Sequence, residues 1–70
     1  MFIKVTDLEG TVVHVNTHHL IFFNDVHDEK YPMAKAAIVL TGNPMQQLFV
    51  IESSVEIAEM IRASRRSNLK

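Results

Sequence analysis

The chain has 70 residues, no cysteine and a formal net charge of −1. This length accommodates one domain at most, and without cysteine neither a disulfide framework nor a thiolate zinc site can brace it. A single core of this size supplies about 3–5 kcal/mol net, yet 47% of the residues are hydrophobic, so part of the apolar surface is expected to face another subunit and a homo-oligomer is expected.

Phe2-Ile3-Lys4-Val5-Thr6 alternates apolar and polar, which predicts a strand with Ile3 and Val5 on one face. Asp7-Leu8-Glu9-Gly10 reads as a turn in which Gly10 takes a positive φ at little cost. Thr11-Val12-Val13-His14-Val15 is the returning strand of a hairpin. Asn16-Thr17-His18-His19 then favours a turn or a single helical turn, since Asn and Thr bond locally to the backbone. Leu20-Ile21-Phe22-Phe23 predicts a strand with large apolar groups on both faces. One face meets the core, which leaves Leu20 and Phe22, or Ile21 and Phe23, for a subunit contact.

Asn24 to Lys35 is polar and mixed in charge, with Tyr31-Pro32 in its middle, and reads as a loop. Ala36-Ala37-Ile38-Val39-Leu40 is apolar on both faces, as a central strand is. Thr41-Gly42-Asn43-Pro44-Met45 is a turn rich in breakers, and its Met45 tip is a further candidate contact. Gln46 to Ile51 is the last strand, antiparallel to the one before it.

The chain then passes straight into a helix. Ser53 and Glu56 have the spacing of a capping box, in which each side chain bonds the other residue's amide. Ile57, Ala58, Met60 and Ile61 fall on one stripe, with Glu56, Glu59, Arg62 and Ala63 opposite. Arg62 and Arg66, four apart, repel, so fraying is expected from about Ser64. The expected fold class is α+β: a small, curled, five-stranded antiparallel sheet, a partial barrel, with one C-terminal helix. Residues 1–64 form the domain and 65–70 a basic tail.

These residues also resemble a known family. Ile3-Lys4-Val5-Thr6-Asp7-Leu8-Glu9-Gly10, Val15-Asn16, Leu20-Ile21, Ile38-Val39-Leu40-Thr41 and Phe49-Val50-Ile51-Glu52-Ser53-Ser54-Val55-Glu56 look like the FlbD/SwrD flagellar and swarming-motility family. The turn Thr41–Met45 and the loop Asn24–Lys35 are longer than that family's pattern. The resemblance spans residues 3–61 and implies a small, non-enzymatic accessory protein of bacterial or phage type.

Charge is unevenly placed. Residues 1–59 carry Lys4, Lys30 and Lys35 against all eight acidic residues, 3 − 8 = −5; residues 60–70 carry Arg62, Arg65, Arg66 and Lys70 and no acid, +4. Acid early and base late in a helix match its dipole. The functional alternative is that Arg62, Arg65 and Arg66, with His18 and His19, hold a small phosphorylated ligand such as a nucleotide in an oligomer's seam. A second alternative is nucleic acid on the basic tail, although the strands carry few cations to follow a phosphate backbone.

His14, His18, His19 and His27 raise the question of a metal. His14 and His18 lie on a strand and its following turn, so their spacing does not bring them to one helix face. They read as surface and turn histidines, with a metal gathered from several chains as the alternative. Asp25, Asp28 and Glu29 beside His27 read as a solvated loop, since acid–base work needs a closed pocket. No enzyme and no cofactor are expected. No apolar run approaches the ~18 residues of a membrane span and the alternating N-terminus is not a signal peptide, so a cytoplasmic location is expected. The function expected from these features is protein–protein interaction by a non-catalytic accessory module.

Overall fold

The computed structural model describes residues 1–42 and 44–68, with side chains described as far as Ser64. The elements follow in the order β1 (Phe2–Thr6), β2 (Val12–Asn16), a 3-10 turn (Thr17–His19), β3 (Leu20–Asp25), β4 (Ala36–Leu40), β5 (Gln46–Val50) and α1 (Ser54–Asn68).

The hairpin β1–β2 has the expected register, with Ile3 opposite Val15 and Val5 opposite Val13. Its turn is built by Asp7. The Asp7 amide donates to the Thr11 carbonyl at 2.9 Å. The Asp7 carboxylate accepts from the amides of Glu9 and Thr11, both at 2.9 Å. Gly10 sits at φ 88°, where a side chain would be strained.

β2 does not continue into a sheet with β3. The Asn16 side chain accepts from the His18 amide at 3.0 Å and caps the 3-10 turn, which swings the chain away from β2. β3 then pairs with β4, and β4 with β5, both antiparallel. β4 is central in this sheet, which explains its apolar character on both faces.

The expected single five-stranded sheet is therefore corrected to two antiparallel sheets, of two and three strands. They touch at one end. Asp7 and Val50 form an isolated bridge, and the Ile51 amide donates to the Thr6 carbonyl at 3.0 Å. Beyond that point β1 and β5 are not paired, and α1 packs against β1 and β3, with Ile57 in the shared core and Met60 and Ile61 packed against it. The core comprises Ile3, Val5 and Val15 from the hairpin, Ala36, Ile38 and Val50 from the three-stranded sheet, and Ile57 from the helix. Among the described residues no buried side-chain nitrogen or oxygen lacks a partner.

The strand-to-helix join is pinned three times. Glu52 accepts from the Thr6 amide at 2.8 Å and from the Thr6 hydroxyl at 2.9 Å, one oxygen each. The capping box is formed: the Glu56 amide donates to Ser53 Oγ at 3.2 Å, and the Ser53 amide donates to Glu56 Oε1 at 3.3 Å. The Ser54 amide donates to Asp25 Oδ1 at 3.1 Å, which ties the end of β3 to the first turn of α1. The expected stripe faces inward: Ile57 is buried, Ala58, Met60 and Ile61 are half-buried, and Glu56, Glu59, Arg62 and Ala63 are exposed. The helix does not end near Ser64 but continues to Asn68.

Candidate interaction surface

The outer face of the three-stranded sheet is set by register. Phe23, Ile38 and Leu48 form one cross-strand row, and all three belong to the core or pack on it. The neighbouring row, Phe22, Val39 and Gln47, must point to the opposite face. The next outward row is Asn24, Ala37 and Phe49. Phe22 is 48% exposed, at the end of its row and on the edge strand.

Ile21 is a special case. Leu20 pairs with Leu40 and Phe22 with Val39, so Ile21 is the extra residue of a bulge. It belongs to neither alternation, and 44% of it is exposed. The four-residue apolar run is thus divided. Leu20 and Phe23 pack on the core, whereas Ile21 and Phe22 reach the surface. Met45, at the base of the β4–β5 turn, is 64% exposed; its neighbour Asn43 lies outside the described residues.

Residues 26–35 are a folded strap rather than a plain loop. The Val26 amide donates to the Lys35 carbonyl at 2.9 Å, and the Lys35 amide to the Val50 carbonyl at 2.9 Å, so the two ends are bonded to each other and one of them to β5. Two turns shape its tip: the Tyr31 amide donates to the Asp28 carbonyl at 3.1 Å, and the Ala34 amide to the Tyr31 carbonyl at 3.0 Å. The Tyr31 ring stacks on Phe49, with centroids 5.7 Å apart and planes 24° from parallel. Ala37, beside Phe49, is buried under this end of the strap. Met33 is 62% exposed, and with Leu8, Tyr31 and Pro32 it lines a shallow apolar recess of about 250 Å³. Strand alternation gives no hint of Tyr31 and Met33; the one signal is an apolar triplet, Tyr31-Pro32-Met33, inside a polar segment.

Two of the titratable groups considered for chemistry, Asp25 and Asp28, have structural roles. Ser54 holds the Asp25 carboxyl below its usual range, through its hydroxyl first and its amide second, and His27 acts in the same direction. The Asp28 carboxylate accepts from the Lys30 amide at 2.9 Å and shapes the strap. His27, Asp28 and Glu29 border an open recess of about 380 Å³. Among the described residues no group of three or more His, Asp or Glu is placed to hold a metal ion.

Among the described residues considered for an anion, Arg62, His18 and His19 share no hydrogen bond or ion pair with one another. Arg62 Nη1 donates to Glu59 Oε1 at 3.0 Å within its own helix. His19 Nδ1 lies 3.2 Å from Thr41 Oγ1, and His18 is exposed on the 3-10 turn. The side chains of Arg65 and Arg66 lie outside the described residues. Among the described residues no helix is long and apolar enough to cross a membrane. No family model matches the chain, and no curated protein or solved structure matches it either.

Proposed function

We propose that the chain is a non-catalytic accessory module that acts by protein–protein interaction and associates with itself through the edge and outer face of β3. One observation carries this reading: Ile21 and Phe22 are exposed on a strand that has a neighbour on one side only. An apolar edge strand is a template for pairing, and natural proteins usually guard it with lysine, proline or a short length. Leu20–Phe23 contains no lysine or proline, and the guard it does carry is the bulge at Ile21. Two of the three carboxylates considered for acid–base chemistry have structural partners, Asp25 at the helix start and Asp28 on the strap. The resemblance of residues 3–61 to a family of small motility accessory proteins supports the same class.

Sedimentation velocity tests the reading. The native chain is expected to sediment as a dimer or larger at tens of micromolar. Phe22→Lys, which sets a charge on the edge, is expected to weaken association at least about tenfold, or ~1.4 kcal/mol, with its circular dichroism unchanged. A native chain that stays monomeric at high micromolar concentration overturns the proposal. A thermal-shift screen against nucleotides tests the alternative of a small anionic ligand. With Arg62 engaged by Glu59, little change in melting temperature is expected.

A further inference from the structure

We infer that the partner of β3 is a second copy of this chain, paired antiparallel to it about a two-fold axis at Phe22, so that two three-stranded sheets join into one of six strands. The inference rests on the self-association just proposed and specifies its geometry. Three observations converge on it.

The first is which edge is open. β3 ends the three-stranded sheet and pairs with β4 alone. β2 ends the other sheet, but it borders a recess whose far wall is the chain's own Leu40, Thr41 and Gln46. The edge of β3 carries two adjacent exposed apolar side chains, Ile21 and Phe22, whereas β1 and β2 each expose one, Phe2 and Val12, at a strand end.

The second is the match of faces. Side chains directly opposite each other in a sheet share a face, and a slip of one residue inverts every pair. With Phe22 opposite Phe22 of the second copy, the outward side chains meet. Because Ile21 is the extra residue of the bulge, Leu20 then falls opposite Phe23 of the second copy, and both of these point inward. Asn24 falls opposite His19. A shift of two residues also preserves the faces, but in one direction it sets inward Leu20 against the Asp25 carboxylate, and in the other it sets inward Phe23 against His18 of the 3-10 turn.

The third is charge. His18 and His19 immediately precede β3 and each offers an imidazole N–H donor. Asp25, Asp28 and Glu29 lie at its other end and beyond. Antiparallel pairing brings the histidine end of each copy to the acidic end of the other, twice by symmetry. Parallel pairing would set acid beside acid. An isologous contact of this kind also closes on itself and leaves no free β3 edge.

The native chain has no cysteine, so introduced thiols report the pairing directly. Directly opposed residues have Cβ atoms about 4.5–5.5 Å apart, close to what a disulfide needs. Phe22→Cys is expected to oxidise to a covalent dimer in high yield at tens of micromolar. The double variant H19C/N24C retains Phe22 and is expected to cross-link as well, through two symmetric bridges. Gln47→Cys lies in the same row but on β5, about five strand spacings or ~24 Å from its copy in the six-stranded sheet, and is expected to remain uncross-linked. If the native chain self-associates by sedimentation and neither β3 variant cross-links, this pairing is overturned while self-association stands. Cross-linking of Gln47→Cys in equal yield also overturns it. A monomeric native chain overturns both.

Discussion

Glu52 shows how much one side chain can fix in a domain this small. It follows β5 directly and reaches back across most of the chain to bond both the amide and the hydroxyl of Thr6. Without it, a half-buried donor at the end of β1 has no partner. Glu52→Ala is therefore expected to cost about 1–3 kcal/mol, measured by urea unfolding. A loss within about 0.5 kcal/mol, the range of ordinary surface changes, would show that the clamp contributes little. Asp25 makes a second long-range tie, to the first turn of α1, and its carboxyl is held below the usual value chiefly by Ser54. A depressed carboxyl stabilises the fold fully above the unfolded aspartate value and loses that contribution as the pH falls through the folded value. Asp25→Asn should thus melt below the native protein at pH 5–7, and the gap should close below about pH 4. A gap independent of pH would mean that the charge at the helix start is irrelevant.

At the scale of elements, α1 was the most legible part of the chain. Its capping box and its inward stripe follow from local spacing alone, and both are present. Ile57 is fully buried at the centre of that stripe. Ile57→Ala is expected to cost about 2–5 kcal/mol through lost burial and the cavity left behind. Val55→Ala, at a position 70% exposed, is expected to stay within about 0.5 kcal/mol of the native protein. Equal losses at the two positions, measured by thermal or urea unfolding, would contradict the docking of this face. The hairpin and the central place of β4 were legible for the same reason: alternation and two-sided apolarity are local signals. What was not legible depends on contacts distant in sequence. Pairing between the two sheets stops at the Asp7–Val50 bridge and the Ile51–Thr6 bond, which leaves two sheets rather than one, and no periodicity in either strand encodes that limit. The strap over residues 26–35 was hidden because its order comes from backbone bonds within it, one backbone bond to Val50 and one ring stack on Phe49. The run Leu20–Phe23 identified an apolar strand, but the bulge at Ile21 decided which of its side chains reach the surface.

At the scale of the molecule, the apolar residues outnumber the places to bury them. The buried core of the described residues consists of nine side chains, three of them alanines, while eight large apolar side chains stand exposed. A domain of about this size buries only about 60% of the surface its unfolded chain exposes, so the partner proposed for the β3 edge would supply both stability and a cover for Phe22. Self-association would make the melting temperature rise with protein concentration. The most direct test is amide hydrogen exchange across β3 as a function of concentration. Strand pairing predicts that the amides of Ile21 to Asn24 directed away from β4 become protected as the concentration rises from low to high micromolar, while those on the free edge of β2 do not. Exchange at β3 that is unchanged across that range would contradict the central claim.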